Sequence, residues 1–258
     1  MRLRLTLAYR GTHFHGWQEQ VDGLRTVQGE VRRALQLVLR HPVTLVGASR
    51  TDAGVHAEGQ VAHFDTDMTQ IPLEGMRKAL NSKLPDDVLA REIAAVADDF
   101  DAIADATDKR YQYQIWTGAD RPVFHHDTCF HRPGVADIDA MNAAAAHLVG
   151  THDFASFAKP GHGREHTVRT ITAADVSRDG ERVVIGVEGT GFLWNQVRII
   201  AGTLAEVGRG KVEPSAILEM LAARDRTAAG PTAPAHGLLL CWIRHAKPAE
   251  QTADAGPG

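Results

Sequence analysis

One pattern occurs twice in this chain and restricts its fold more than any other. Near the start, Leu3, Leu5 and Leu7 alternate with Arg4, Thr6 and Ala8, the period of a strand with one buried face. From residue 109 the alternation begins again, with Tyr111, Tyr113 and Ile115 set against Gln112, Gln114 and Trp116. After each of these strands comes a similar succession of helix and strand signals. In the first half, Val27, Val31, Leu35 and Val38 recur at helical spacing behind Thr26, a plausible N-cap. Val43 to Val46 and Val61 to Phe64 predict short strands on either side of an RTDAG loop. IPLEGMRKALNSKL predicts a second helix ended by Pro85, and DVLAREIAAVA a further strand. In the second half, DIDAMNAAAAHLVG predicts a helix with an Asp cap and a Gly stop. A hairpin is predicted around Asp179-Gly180, and FLWNQVRIIAGTLAEVG predicts a helix with Val197, Ile200, Leu204 and Val207 on one face. HGLLLCWIRH predicts a closing strand.

These signals predict an α+β fold of two similar halves, 1–103 and 104–246, each with strands and two helices. Hairpin signals favour antiparallel sheets with helices on one face. The other face is then left open, which suits a large substrate. The polar tail over 247–258 is expected to be disordered.

Composition narrows the class. With 43% hydrophobic residues in 258, the chain can bury a sizeable core. The net charge of −4 argues weakly against nucleic-acid binding, which depends on clustered Lys and Arg, but a local patch would suffice. The two cysteines, Cys129 and Cys241, have no metal-ligand spacing and read as reduced, buried thiols. The N-terminus reads as a strand and not a signal peptide, and the longest apolar run, GLLLCWI, is too short to span a bilayer. A cytoplasmic location is expected.

The stretch GASRTDAGVHAEGQVAHF carries the main chemical candidate, Asp52. In an extended segment Arg50 and Asp52 point the same way, and Gly54 permits a turn or close approach of a ligand. Taken alone, TDAG reads more often as a turn than as a catalytic loop. Tyr111, behind Lys109 and Arg110, is either a core aromatic or a platform for a base with its phosphate. Arg198 lies in an apolar helix. It either snorkels at the helix edge or pairs with a carboxylate, which would keep Asp52 ionised in a dry cleft. His13, His15, His56, His63, His125, His126 and His131 form no HExxH or matched metal spacing. VEGTGF lacks the GxGxxG order and a Walker lysine, so a nucleotide cofactor is unsupported.

Eight stretches, in order from Leu3 to Ile243, together resemble the tRNA pseudouridine synthase A family: YRGTHFHGWQ, TVQGEV, GASRTDAGVHA, ALNSKLPDDV, KRYQYQI, GTHDFASF, GFLWNQVRIIAGTLAEVG and TAPAHGLLL. The resemblance implies an isomerase that converts uridine to pseudouridine at positions 38 to 40 of the tRNA anticodon stem-loop. It implies a homodimer without metal or cofactor, and two α/β domains with antiparallel sheets joined across a basic cleft. It makes Asp52 the catalytic aspartate, Arg50 the residue that helps extrude the target nucleotide, Tyr111 the active-site tyrosine and Arg198 the arginine that pairs the carboxylate. Leu238 matches an apolar wall of the uracil pocket. Lys109, Arg110 and Arg169 are further candidates for binding RNA. Arg10, Lys159, Arg164, Arg209 and Lys211 complete the basic patch that the net charge requires. Trp194 stands where relatives often carry tyrosine or histidine. Two rival readings are a non-catalytic RNA-binding module and a metal-dependent hydrolase using His13, His15 and Asp52.

Overall fold

The computed structural model describes residues 1–20, 23–161 and 166–246. The tail from Lys247 and Arg164, both singled out from the sequence, lie outside the described residues. The chain divides into two compact units, Met1–Thr107 with Trp242–Gly258, and Asp108–Cys241.

The first unit contains β1 (Arg2–Tyr9), α1 (Val27–Leu39), β2 (Val46–Gly47), β3 (His56–Asp65), α2 (Leu73–Asn81) and β4 (Val88–Val96). β1 is central, antiparallel to both β3 and β4, and β2 adds a short antiparallel pairing to β3. The alternation in β1 works as predicted: Leu3, Leu5 and Leu7 are fully buried, and Arg2 and Arg4 on the other face pair with Asp65 and Glu92. Thr26 caps α1, its hydroxyl accepting from Gly29 N at 3.3 Å.

Two boundaries differ from expectation. Val43 and Leu45 are buried but unpaired by any strand, and only Val46–Gly47 joins the sheet. The Leu45 carbonyl instead accepts from the Gln28 side chain at 2.8 Å, so burial there comes without a ladder. α2 ends at Asn81, short of Pro85. Lys83 N and Leu84 N both turn back onto the Leu80 carbonyl, and the Asn81 side chain leaves the helix to bond β4.

The second unit contains β5 (Ala106–Trp116) from Asp108 onward, β6 (Phe130–His131), α3 (Ile138–Ala146), β7 (Gly150–Asp153), β8 (Val168–Asp179), β9 (Arg182–Gly189), α4 (Gln196–Gly208) and α5 (Ala216–Ala223). β10 (Leu238–His245) starts in this unit and passes into the first at Trp242. β5, β9, β8 and β7 are neighbours in that order, all antiparallel, while β6 lies parallel on β5. Tyr111, Tyr113 and Ile115 are buried on one face of β5. The predicted hairpin joins β8 to β9, closing at the Asp179–Arg182 pair through Gly180 and Glu181.

Asp137 caps α3 by accepting from Ala140 N at 2.8 Å. The helix stops at Ala146, four residues before the expected Gly150, which opens β7 instead. α4 departs from the one-faced helix predicted: Ile199, Ala201 and Thr203 are buried as well as Ile200 and Leu204. A returning segment covers its second side, with Gly230 N bonding Thr203 Oγ1 at 3.0 Å and Ala233 N bonding the Arg198 carbonyl at 3.0 Å.

Both units close a sheet edge with the same device. Asn81 Nδ2 donates to Ala90 O and Asn81 Oδ1 accepts from Ala90 N, at 2.9 and 2.8 Å. Asn142 makes the same two bonds with Val176, again at 2.9 and 2.8 Å. A carboxamide has the donor and acceptor of a peptide unit, so each asparagine from a neighbouring helix stands in for one residue of a missing strand and blunts an edge that would otherwise invite pairing.

Candidate active site

In the first unit the RTDAG loop lies between β2 and β3 and is held from three directions. Thr51 is buried, with its carbonyl accepting from Trp17 N at 3.0 Å and its hydroxyl 2.8 Å from the Tyr9 hydroxyl on β1. Gln60 on β3 donates to the Ser49 carbonyl at 2.6 Å and approaches the Tyr9 hydroxyl at 3.4 Å. On the far side, Gly54 N donates to the Phe14 carbonyl at 3.3 Å, and Val55 N to the Asp52 carbonyl at 3.1 Å. The loop thus turns inside a sleeve formed by the YRGTHFHGWQ segment.

That sleeve needs glycine. Gly16 has φ of +93°, and a β-carbon there would lie 2.7 Å from the Thr51 carbonyl oxygen. Gly54, at φ +80°, makes the turn that follows Asp52; both angles are in the left-handed region that side chains disfavour. The same segment ties into α1 through Val27 N to Gly16 O and Gln28 N to Trp17 O, at 3.1 and 3.0 Å. The buried Trp17 ring leans on Tyr9 with centroids 6.2 Å apart. Asp52, one residue beyond the pinned Thr51, is half-buried, and Arg50, one residue before it, is exposed.

Two histidines near this loop serve as structural acceptors. His56 Nδ1 accepts from Gly11 N and His63 Nδ1 from Ala102 N, each at 3.0 Å; a ring nitrogen that accepts is unprotonated. His13 and His15 are exposed. Among the described residues no group of three or more His, Cys, Asp or Glu side chains is placed to hold a metal, and no helix is long and apolar enough to cross a membrane.

The second unit holds Tyr111, Arg198, Leu238, Lys109, Arg110 and Arg169. Tyr111 is 6% exposed and meets the Phe192 ring edge-on, at 5.3 Å and 87°. Its neighbour on the same strand face, Tyr113, donates from its hydroxyl to the Pro234 carbonyl at 2.7 Å. Burial pushes the Tyr113 phenol well above its usual range, against the opposing effect of the Arg198 charge, so it stays a protonated donor. Leu238 is buried at the start of β10.

Arg198, half-buried in the first turn of α4, is held by two bonds within its unit. Nε donates to the Ala233 carbonyl and Nη1 to Asn195 Oδ1, both at 2.9 Å. The two bonds use different nitrogens and so fix the plane of the guanidinium.

The remaining cations differ in how they are used. Arg110 is on the opposite face of β5 from Tyr111, 2.8 Å from Asp175 and 3.5 Å from Glu188. Arg209 pairs with Glu206, which also takes Arg132. Arg169 Nη1 donates to the carbonyls of His166 and Val168. Lys159 lies over the Trp194 ring, 4.1 Å from its centroid, while its backbone N donates to the Trp194 carbonyl. Arg10, Lys211 and Arg50 are exposed.

Tyr9, Gly16, Trp17, Gln60 and Asn195 support the candidate residues but do not stand out individually in the sequence. The signal that could have found them is position: Tyr9 to Trp17 and Asn195 all lie inside the ordered motifs.

Over most of its length the chain is similar to known proteins. The sequence model of a family described as tRNA pseudouridine synthase matches residues 6–103 and 144–245. A tRNA pseudouridine synthase A from Geobacillus kaustophilus is 48% identical over 240 residues, covering 93% of this chain and 92% of its own. Another, from Anoxybacillus flavithermus, is 46% identical over 245 residues, covering 95% and 98%. A third, from Brevibacillus brevis, is 46% identical over 239 residues, covering 93% and 97%.

Proposed function

The chain belongs to the tRNA pseudouridine synthase family, and we propose that it converts uridine to pseudouridine at positions 38, 39 and 40 of the tRNA anticodon stem-loop. It is an isomerase acting on tRNA uridine. The reaction breaks the bond from N1 to C1′, turns the base and joins C5 to C1′; C5 loses its proton and N1 gains one, so the product is an isomer of the substrate. Nothing is oxidised and no water is consumed, so the chemistry itself calls for neither a redox cofactor nor a hydrolytic metal.

What it does call for is an ionised carboxylate in a water-poor setting. Asp52 takes that role, and Arg198 supplies the positive charge that keeps it ionised. The target base must first leave its stack, at a cost of a few kcal/mol. Arg50 takes the space it vacates. Tyr111 stacks on the uracil and its hydroxyl takes up the C5 proton while passing its own to solvent, and Leu238 walls the base. Lys109, Arg110 and Arg169 contribute to RNA binding. The enzyme acts as a homodimer in the cytoplasm.

The observation that most supports this reading is the pinning of Thr51, through its carbonyl to Trp17 N and its hydroxyl to Tyr9. Both bonds come from outside the loop, and a turn with no task beyond reversing the chain does not need them. The test is to incubate the protein with tRNA transcripts lacking all modification and map pseudouridines by position. Product confined to positions 38 to 40 supports the proposal. Product in another arm alone removes the anticodon assignment while leaving the chemistry.

A further inference from the structure

Asn195 has a backbone conformation that its place in the sequence does not require. It precedes α4 with φ 62° and ψ 7°, in the left-handed region, and is one of only three non-glycine residues among the described ones with positive φ. An asparagine at a helix start ordinarily takes an extended backbone and accepts from an amide of the first turn. Here the side chain makes no such cap. The left-handed turn redirects its carboxamide, whose Oδ1 accepts from Arg198 Nη1 at 2.9 Å.

The surroundings hold Asn195 in that state. Leu193 N donates to Gln196 Oε1 at 2.8 Å while Gln196 N donates to Leu193 O at 3.1 Å, a reciprocal clasp around the turn. Gln196 is 1% exposed. The Asn195 carbonyl accepts from Ile199 N at 2.9 Å, and the preceding carbonyl, of Trp194, from Lys159 N at 3.0 Å. On the other side of the guanidinium, Ala233 brackets Arg198 by its own two backbone groups, O to Nε and N to the Arg198 carbonyl. A strained residue fixed so thoroughly is a candidate for function.

We propose that Asn195 is a positioning residue for the reaction: its left-handed turn turns a helix cap into a neutral acceptor that orients Arg198 without cancelling its charge. The proposal rests on the reading that Arg198 supplies the charge for Asp52. Neutrality matters to it. A carboxylate would hold the guanidinium equally well but would draw off the charge meant for Asp52. Asparagine also tolerates the left-handed region better than any other residue with a side chain apart from aspartate.

Two substitutions separate orientation from fold. Asn195→Gly accepts the backbone conformation and removes only the acceptor. Asn195→Asp keeps backbone and acceptor and adds a charge. The measurement is release of tritium from tRNA carrying uridine labelled at C5, with kcat and KM obtained across pH, alongside thermal unfolding. We expect Asn195→Gly to unfold within a few degrees of the unaltered protein and to keep its KM, with kcat lower by about 10- to 100-fold, the usual scale of a misplaced group. Asn195→Asp is expected to lower kcat as well, because the added carboxylate then competes for the cation. An Asn195→Gly protein with unchanged kcat overturns the proposal, as does an Asn195→Asp protein with unchanged kcat. Arg198→Gln, which removes the charge, measured in parallel, tests the underlying reading separately: full activity there removes the role of Arg198 itself, whereas loss there with an unaffected Asn195→Gly removes only the role of Asn195.

Discussion

The Tyr9 hydroxyl is 2.8 Å from Thr51 Oγ1, and both residues are buried, at 5% and 7% exposure. Through this bond the central strand of the first unit fixes the residue that precedes Asp52. Tyr9→Phe leaves the Thr51 hydroxyl buried without that partner, at a cost of about 1–3 kcal/mol. It is expected to lower kcat by about 10-fold or more with little change in KM. Thr51→Val removes the other partner. If the bond is the link, the two changes combined cost less than their sum in both chemical denaturation and kcat. Strict additivity would contradict the link.

Gly16 gives a second test of the same sleeve. Its φ of +93° and the 2.7 Å approach to the Thr51 carbonyl leave no room for a β-carbon. Gly16→Ala is expected to destabilise the protein by more than about 1–2 kcal/mol, the cost of forcing a side chain into the left-handed region. Urea unfolding measures it, and a change under half that size would mean that the segment yields freely.

The α+β fold was legible where burial is one-sided. β1 and β5 bury one face, so Leu3 to Leu7 and Tyr111 to Ile115 show the strand period directly. It was illegible where burial is two-sided or comes without pairing. α4 is covered all round, so its four-residue stripe understated it. Val43 and Leu45 are apolar and buried but belong to no strand. α5 was missed although Ile217, Met220 and Leu221 carry a helical spacing in their burial. As for the site, local pattern alone left Asp52 a turn residue, and the order of eight motifs singled it out. Its supports come from elsewhere in the chain, Tyr9 from β1 and Gln60 from β3. The left-handed backbone of Asn195 leaves no mark in the sequence.

The edge asparagines predict a matched pair of effects. Asn81→Ala and Asn142→Ala each remove two hydrogen bonds to one edge residue, Ala90 or Val176. Because water can reach a sheet edge, each is expected to cost about 1–2 kcal/mol, at the lower end for two lost bonds. Turbidity on heating should appear sooner in both variants, since an unpaired edge recruits other strands. Denaturation midpoints unchanged in both would contradict the strand-mimic role.

Stability should also fall on mild acidification. Burial, then the charge of Arg2, holds the pKa of His63 below the usual 6.5. His236 is shifted the same way, with burial again the largest cause. Between its folded and unfolded pKa each histidine binds more protons in the unfolded chain, so stability is lost as pH drops through 6.5 and the loss from these groups levels off below the folded values. His63→Asn keeps an acceptor for Ala102 N and removes the titration. It should flatten the slope of unfolding free energy against pH just below 6.5; an unchanged slope would assign the pH dependence elsewhere.

The central claim is that the Asp52 carboxylate performs the isomerisation. It is tested most directly by comparing the unaltered protein with Asp52→Asn on tRNA labelled with tritium at C5 of uridine, measuring tritium release and tRNA affinity in the same preparations. The account predicts that release falls by about 10³-fold or more while affinity stays within a few-fold, since asparagine has nearly the same shape without the charge. Release from Asp52→Asn at the rate of the unaltered protein would contradict it.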